Sequence, residues 1–171
     1  VDQIDNNGTD SFDGTLNLND DGDVTVNVAA GSWDLVGALN KNNAGTSVVS
    51  GDRVVVTGDV DVAAGTLDLP ATTLSPGAGV AVNGVLFLGG ASILAGPTSV
   101  HGAGMLRLEG TSTVSANTTI STATFDWDGL GTGTSHTINN GVVFTINSST
   151  LDSDGDMDDP VHLGGNGAQL I

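Results

Sequence analysis

The chain has 171 residues, with 3 Lys+Arg against 20 Asp+Glu and a formal charge of −17. That balance leaves no basic surface to displace phosphate counterions, so no nucleic-acid partner is expected, and an anionic membrane would repel the chain. There is no Cys, hence no disulfide or thiolate metal site, and no apolar run of about 18 residues that could span a bilayer as a helix.

What remains points to strands. Val and Thr each occur 20 times, Gly 26 times, and aromatics make up 4% of the chain. Branching at Cβ restricts χ1 and suits a pleated strand, whereas Gly at this level breaks helices and supplies turns. No window carries the i, i+3, i+4, i+7 apolar spacing of an amphipathic helix. The expected class is all-β.

In chain order, residues 1–13 are polar and rich in Asn, Asp and Gly, with Ile4 and Phe12 as apolar anchors, and read as a lead-in or cap. Residues 14–151 read as the body. Thr15 to Leu18 and Val24 to Val28 are strand-like runs on either side of the acidic turn Asn19-Asp20-Asp21-Gly22-Asp23. Val26 to Leu35 nearly duplicates Val60 to Leu69, and the polar stretch between them, 36–51, reads as an insertion loop around Asn40 to Asn43.

From there a phrase recurs. Gly65-Thr-Leu-Asp-Leu69, Gly84-Val-Leu-Phe-Leu88 and Gly104-Met-Leu-Arg-Leu108 start 19 and 20 residues apart. A weaker copy at Ala123 and another at Gly141-Val-Val-Phe-Thr145 follow after 19 and 18. A fixed period of this size marks a repeat architecture, in which each unit buries its apolar face only against its neighbours. The expected fold is a parallel β-solenoid of about 20 residues per coil, with Val, Leu, Ile and Phe inward and Thr, Ser, Asp and Asn outward. A two-sheet β-sandwich is the alternative, because it also uses short strands at regular spacing. The recurrence in near register and the scarcity of hairpin dipeptides favour the solenoid. Asn83-Gly84 and Asn140-Gly141 fit coil corners that need positive φ.

The Gly-x-Leu-x-Leu coils, the Ala63-Ala64-Gly65-Thr66-Leu67 phrase, the Asn-Gly corners and the poverty in Lys and Cys resemble the repetitive regions of large secreted bacterial surface proteins. These are the filamentous-haemagglutinin-like and autotransporter-passenger-like adhesins. The resemblance covers roughly residues 14–150. It implies a right-handed β-helix, an extracellular or cell-surface location, and a structural or adhesive role without catalytic residues.

Residues 152–171 hold the sharpest local chemistry. In Asp152-Ser-Asp154-Gly-Asp156-Met-Asp158-Asp159, alternate carboxylates in a Gly-containing loop can converge on one hard cation, with Ca2+ the natural choice. Met157 and Leu163 stand where an EF-hand would place its glycine and its bidentate acid, so a calcium loop of another kind is expected; an acidic linker or a solvated turn is the competing reading. Asp20, Asp21 and Asp23 form a shorter calcium candidate that a plain acidic turn explains more simply. Gly164-Gly-Asn-Gly167 reads as a coil corner, and Gln169-Leu170-Ile171 reads as the start of another strand in a longer rod.

No enzyme is expected. Asp126 and Asp128, alternate residues on one strand, with Glu109, Arg107 and the nearby Phe125 and Trp127, are the only arrangement suggestive of a polysaccharide lyase or depolymerase. His101, His136 and His162 read as surface residues of separate coils. The functional expectation is a non-enzymatic structural or adhesive rod, self-associating end to end with calcium or continuing into neighbouring coils of a larger protein. The alternative is a carbohydrate- or ice-binding module that uses outward threonines such as Thr111, Thr113, Thr118, Thr119, Thr122 and Thr124.

Overall fold

The computed structural model describes residues 3–6, 10–12, 14–19, 21, 24–35, 37–75, 79–96, 98–128, 135–152, 161–165 and 167–171. Within them every paired strand is parallel to its neighbour, no helix is present, and successive partners lie about 20 residues apart. The chain is a β-solenoid with three faces, and the sandwich alternative is excluded.

The first face stacks β1 (Gln3–Asn6), the start of β4 (Val24–Leu35), the start of β6 (Thr46–Val56), β8 (Thr66–Asp68), β11 (Val85–Leu88), the end of β13 (Thr98–Glu109), the end of β15 (Thr118–Asp128) and β18 (Thr150–Asp152). The second stacks β2 (Asp10–Phe12), the ends of β4 and β6, β9 (Thr72–Leu74), β12 (Ser92–Leu94), β14 (Ser112–Val114), β16 (His136–Ile138) and β19 (Val161–Leu163). The third stacks β3 (Leu16–Leu18), β5 (Leu39–Lys41), β7 (Val60–Val62), β10 (Gly79–Val82), the starts of β13 and β15, β17 (Val143–Ile146) and β20 (Gln169–Leu170).

Strand alternation sends every second residue inward. Register then lines up like residues: Leu67, Leu86, Leu106 and Phe125 form one fully buried column, and Leu39, Val60, Val80, Val100 and Ile120 form another. Each buried side chain of this kind contributes about 1.5–3 kcal/mol, before the entropy of ordering it is counted.

The glycines of the repeated phrase sit at the corner between the third and first faces. Here the N–H of Thr66 donates to Gly45 O (2.9 Å), that of Val85 to Gly65 O (2.8 Å) and that of Met105 to Gly84 O (2.9 Å). The backbones are so close that a Cβ on Gly65 would lie 2.5 Å from Gly45 O, and one on Gly84 or Gly104 would run into the carbonyl oxygen of Gly65 or Gly84. Only Gly65 of these three has positive φ, at 68°. At Gly84 it is the missing Cβ rather than the sign of φ that the corner requires.

Three sequence expectations change. Residues 36–51 are no insertion loop: they contain β5 and the start of β6, both within the stacks. Polar ladders hold them there. Asn40 Nδ2 donates to Asn17 Oδ1 (2.9 Å), Asn42 Nδ2 donates to Asn19 Oδ1 (2.6 Å), and the fully buried Lys41 donates from Nζ to the carbonyls of Asn43 and Ala44. The near-duplicate segments are not equivalent either, because Val26 pairs with Val49 on the first face whereas Val60 pairs with Val80 on the third. Finally, the Gly141 copy is out of frame. Phe144 stacks between Thr118 and Leu170 on the third face, and the residue that follows Phe125 in its column is Leu151.

The glycine column makes a direct prediction. Gly84→Ala and Gly104→Ala should each destabilise the fold by about 2–4 kcal/mol, as backbone clashes of this kind do. Gly141→Ala, where nothing lies within 4 Å of the new Cβ, should lose only the cost of a positive φ of 76°, about 1–2 kcal/mol. Urea denaturation of the three variants checks the order.

Candidate functional site

The calcium candidates fall largely outside the described residues. Asp154, Asp156, Asp158, Asp159, Asp20 and Asp23 lie beyond them, Asp152 is described as the last residue of β18, and Asp21 is exposed. Among the described residues no group of three or more His, Cys, Asp or Glu is placed to hold a metal ion, and no helix is long and apolar enough to cross a membrane.

The structure does assemble charge elsewhere. Asp68, Phe87, Arg107, Asp126 and Asp152 occupy one register column of the first face, with Glu109 and Asp128 paired in the next. Asp68, Phe87, Arg107 and Asp126 point outward because their neighbours Leu67, Leu86, Leu106 and Phe125 point in. Arg107 is the centre. Its Nε lies 3.3 Å from Asp126 Oδ2, its Nη2 4.0 Å from Glu109 Oε1, and its guanidinium carbon 5.8 Å from the centroid of the Phe87 ring. Asp126 is only 4% exposed although it faces outward.

Asp68 belongs to the same column and was not singled out in the sequence, where it is one Asp among many. Burial, and secondarily the nearby Glu109 carboxylate, push its pKa above the ordinary value. Its Oδ1 is buried without a hydrogen-bond partner. The register explains why no sequence spacing flags this group: Asp68 and Asp126 are three rungs apart.

Chemically the cluster is an ion-pair network. Two carboxyls that cleave a glycosidic bond stand about 5–9.5 Å apart with room between them. Asp68 and Asp126 are separated by three strand spacings, about 14 Å. Glu109 is nearer to Asp126, but the guanidinium of Arg107 contacts both carboxylates. Phe125 is fully buried, and Trp127 is partly buried and packs against the core.

The histidines divide. His101 is exposed as expected, whereas His136 is 3% exposed and inward on β16, a correction to its reading as a surface residue. It continues a polar core column of Thr72, Ser92 and Ser112. Its Nδ1 lies 2.7 Å from Ser112 Oγ, and its ring centroid lies 4.9 Å from that of Trp127. Trp127, Phe125 and Phe144 pack edge-on or tilted at 5.5–5.9 Å, closing the core where coil length increases. Buried this way, Ser112 and His136 form an internal hydrogen bond. The side chain of His162 lies outside the described set.

No protein-family model, curated protein or solved structure matches the chain.

The raised pKa of Asp68 gives a signed expectation. The folded state binds this proton more tightly than the unfolded state, so the contribution of Asp68 is greatest below the ordinary aspartate pKa. It is lost as pH rises through the folded value. Asp68→Asn should therefore raise Tm at neutral pH, and the gain should vanish below about pH 3.5. Thermal scans across pH test this; a variant less stable than the parent at neutral pH would overturn it.

Proposed function

We propose that the chain is a non-enzymatic structural or adhesive element of an extracellular or cell-surface rod. In this reading it is extended end to end by further parallel coils, from a second copy or from neighbouring coils of a larger protein. The observation that carries this reading is the last coil. Leu151 and Leu170 continue the columns of the fully buried Phe125 and Phe144, yet they are 61% and 43% exposed, with Ile171 beside them at 65%. Large apolar side chains at core positions are available to a partner, and β18, β19 and β20, each paired on one side among the described residues, can offer it parallel backbone pairing. The resemblance to secreted bacterial adhesin regions supports the same assignment.

Calcium enters through charge. A chain of net −17 repels its copies. The run Asp152 to Asp159 follows Leu151 directly in the sequence, so cation binding there would lower the repulsion between copies.

A second reading has its own observation. The outer row of the second face, Thr73, Ile93, Thr113 and Thr137, carries no charge, and the residues flanking it are Ala, Ser, Thr and Asn. An uncharged row on so anionic a chain suits a neutral carbohydrate or an ice surface. Of the threonines read as outward, Thr118 and Thr122 are buried, and Thr113, Thr119 and Thr124 lie on three different faces.

Negative-stain microscopy and sedimentation with calcium, then with chelator, separate these readings. End-to-end rods that shorten on chelation, and that Leu151→Asp abolishes, are the expected result. Strictly monomeric rods at all concentrations in calcium would overturn the assembly, and glycan-array binding or thermal hysteresis by those monomers would favour the second reading.

A further inference from the structure

The described residues contain two Asn-Gly pairs, each followed by Val: Asn83-Gly84-Val85 and Asn140-Gly141-Val142. Asn-Gly is chemically fragile, because the glycine backbone nitrogen meets little steric resistance in attacking the asparagine side-chain carbonyl. The fold treats the two pairs differently.

At the first, both reacting groups are engaged. The N–H of Gly84 donates to Val62 O (3.0 Å), and Asn83 Oδ1 accepts from the N–H of Ala103 (3.2 Å). The Gly84 backbone is further packed against Gly65 of the coil before it. At the second, both residues are exposed, and among the described residues no hydrogen bond holds the Gly141 N–H or the Asn140 side chain. The pair occupies the centre of a tight turn closed by Val142 N–H to Asn139 O (3.1 Å). Gly141 has φ 76°, the pattern of a type II turn, and nothing lies within 4 Å of a Cβ built on it.

We propose that Asn140 is a site of spontaneous covalent modification and that Asn83 is protected by the fold. The Gly141 nitrogen attacks Cγ of Asn140, forming a new C–N bond. The C–Nδ2 bond breaks, and ammonia leaves with the proton given up by the Gly141 N–H. Water then opens the five-membered imide at either carbonyl, leaving aspartate or isoaspartate at position 140. Hydroxide as base and water as nucleophile are the only co-reactants.

The modified turn lies under the last coil. Gly164 donates to Ile138 O (2.7 Å), and a Cβ on Gly164 would lie 2.8 Å from that oxygen and 3.1 Å from the Asn140 nitrogen. A Cβ on Gly167 would lie 3.4 Å from Gly141 Cα. Isoaspartate lengthens the backbone of the turn by one carbon, so this close seating is lost. The bonds from Gln169 N–H to Val142 O and from Ile171 N–H to Phe144 O loosen with it.

The test is incubation of the folded chain in mildly alkaline buffer, followed by peptide mapping by mass spectrometry and enzymatic methylation of isoaspartate. Position 140 should react at least about tenfold faster than position 83, since two hydrogen bonds must break before Asn83 can react. The two rates should converge in urea, and Asn140→Gln should remove the fast product. Equal rates in the folded chain, faster reaction at Asn83, or an Asn140 that reacts only in urea would each overturn the proposal. In the modified chain, hydrogen exchange at Gln169 and Ile171 should accelerate several-fold; unchanged exchange would refute the loosening of the last coil.

Discussion

Everything in this molecule depends on the distance between one coil and the next. Parallel strands pair at about 4.8 Å, and the corners must approach as closely as the strands or the ladder on either side of them breaks. At the corner that leads onto the first face this is met by removing the Cβ, so Gly45, Gly65, Gly84 and Gly104 lie over one another and carbonyl oxygen fills the space a side chain would take. The leucine columns follow from that arrangement. Once the corner is fixed, residues two and four positions on point inward by pleat alone, and Leu67, Leu86 and Leu106 fall into register.

That coupling also explains what was legible in the sequence. A glycine followed by alternating leucines carries both the corner and the inward pattern, so period and fold class could be read directly. The limits of the reading come from local phrases that recur for local reasons. Val-x-Val-Ala-Ala-Gly appears at Val26 and at Val60 because it makes a serviceable bend, yet one copy leaves the first face and the other the third. Gly141 resembles Gly104 but serves a turn with positive φ rather than a close backbone approach. Between Phe125 and Leu151 the partner spacing grows to 26 residues from the 19 between Leu106 and Phe125, and a period search has nothing to lock onto there.

Buried polar residues were the least legible part. Lys41 follows Leu18 and precedes Val62 in an inward column, a place where the pattern calls for an aliphatic side chain. It is accommodated because two corner carbonyls, those of Asn43 and Ala44, receive its ammonium group, a local turn that the residue pattern does not announce. His136 is similar, its polarity matched by Ser112 one coil earlier and its ring by Trp127. Of the candidate site, Arg107 and Glu109 were visible as near neighbours along the chain, and Asp126 as one of two alternate acids on a strand. Asp68 was not, because only stacking brings it under the influence of Glu109.

The distribution of charge gives the rod its polarity of character. Arg107 lies between carboxylates on the first face, while the second face presents an uncharged row over the same coils. With so few cations the chain cannot neutralise its acids by internal pairing, and one arginine reaches two of the carboxylates around it. The stability of the middle must therefore come from the apolar columns and the ladder itself, which are continuous from β6 to β15. A one-dimensional stack of this kind is weakest where a coil has a neighbour on one side only. Among the described residues Leu151 and Leu170 are the exposed members of otherwise buried columns, so a partner, cation or covalent change beside them meets the least opposing packing.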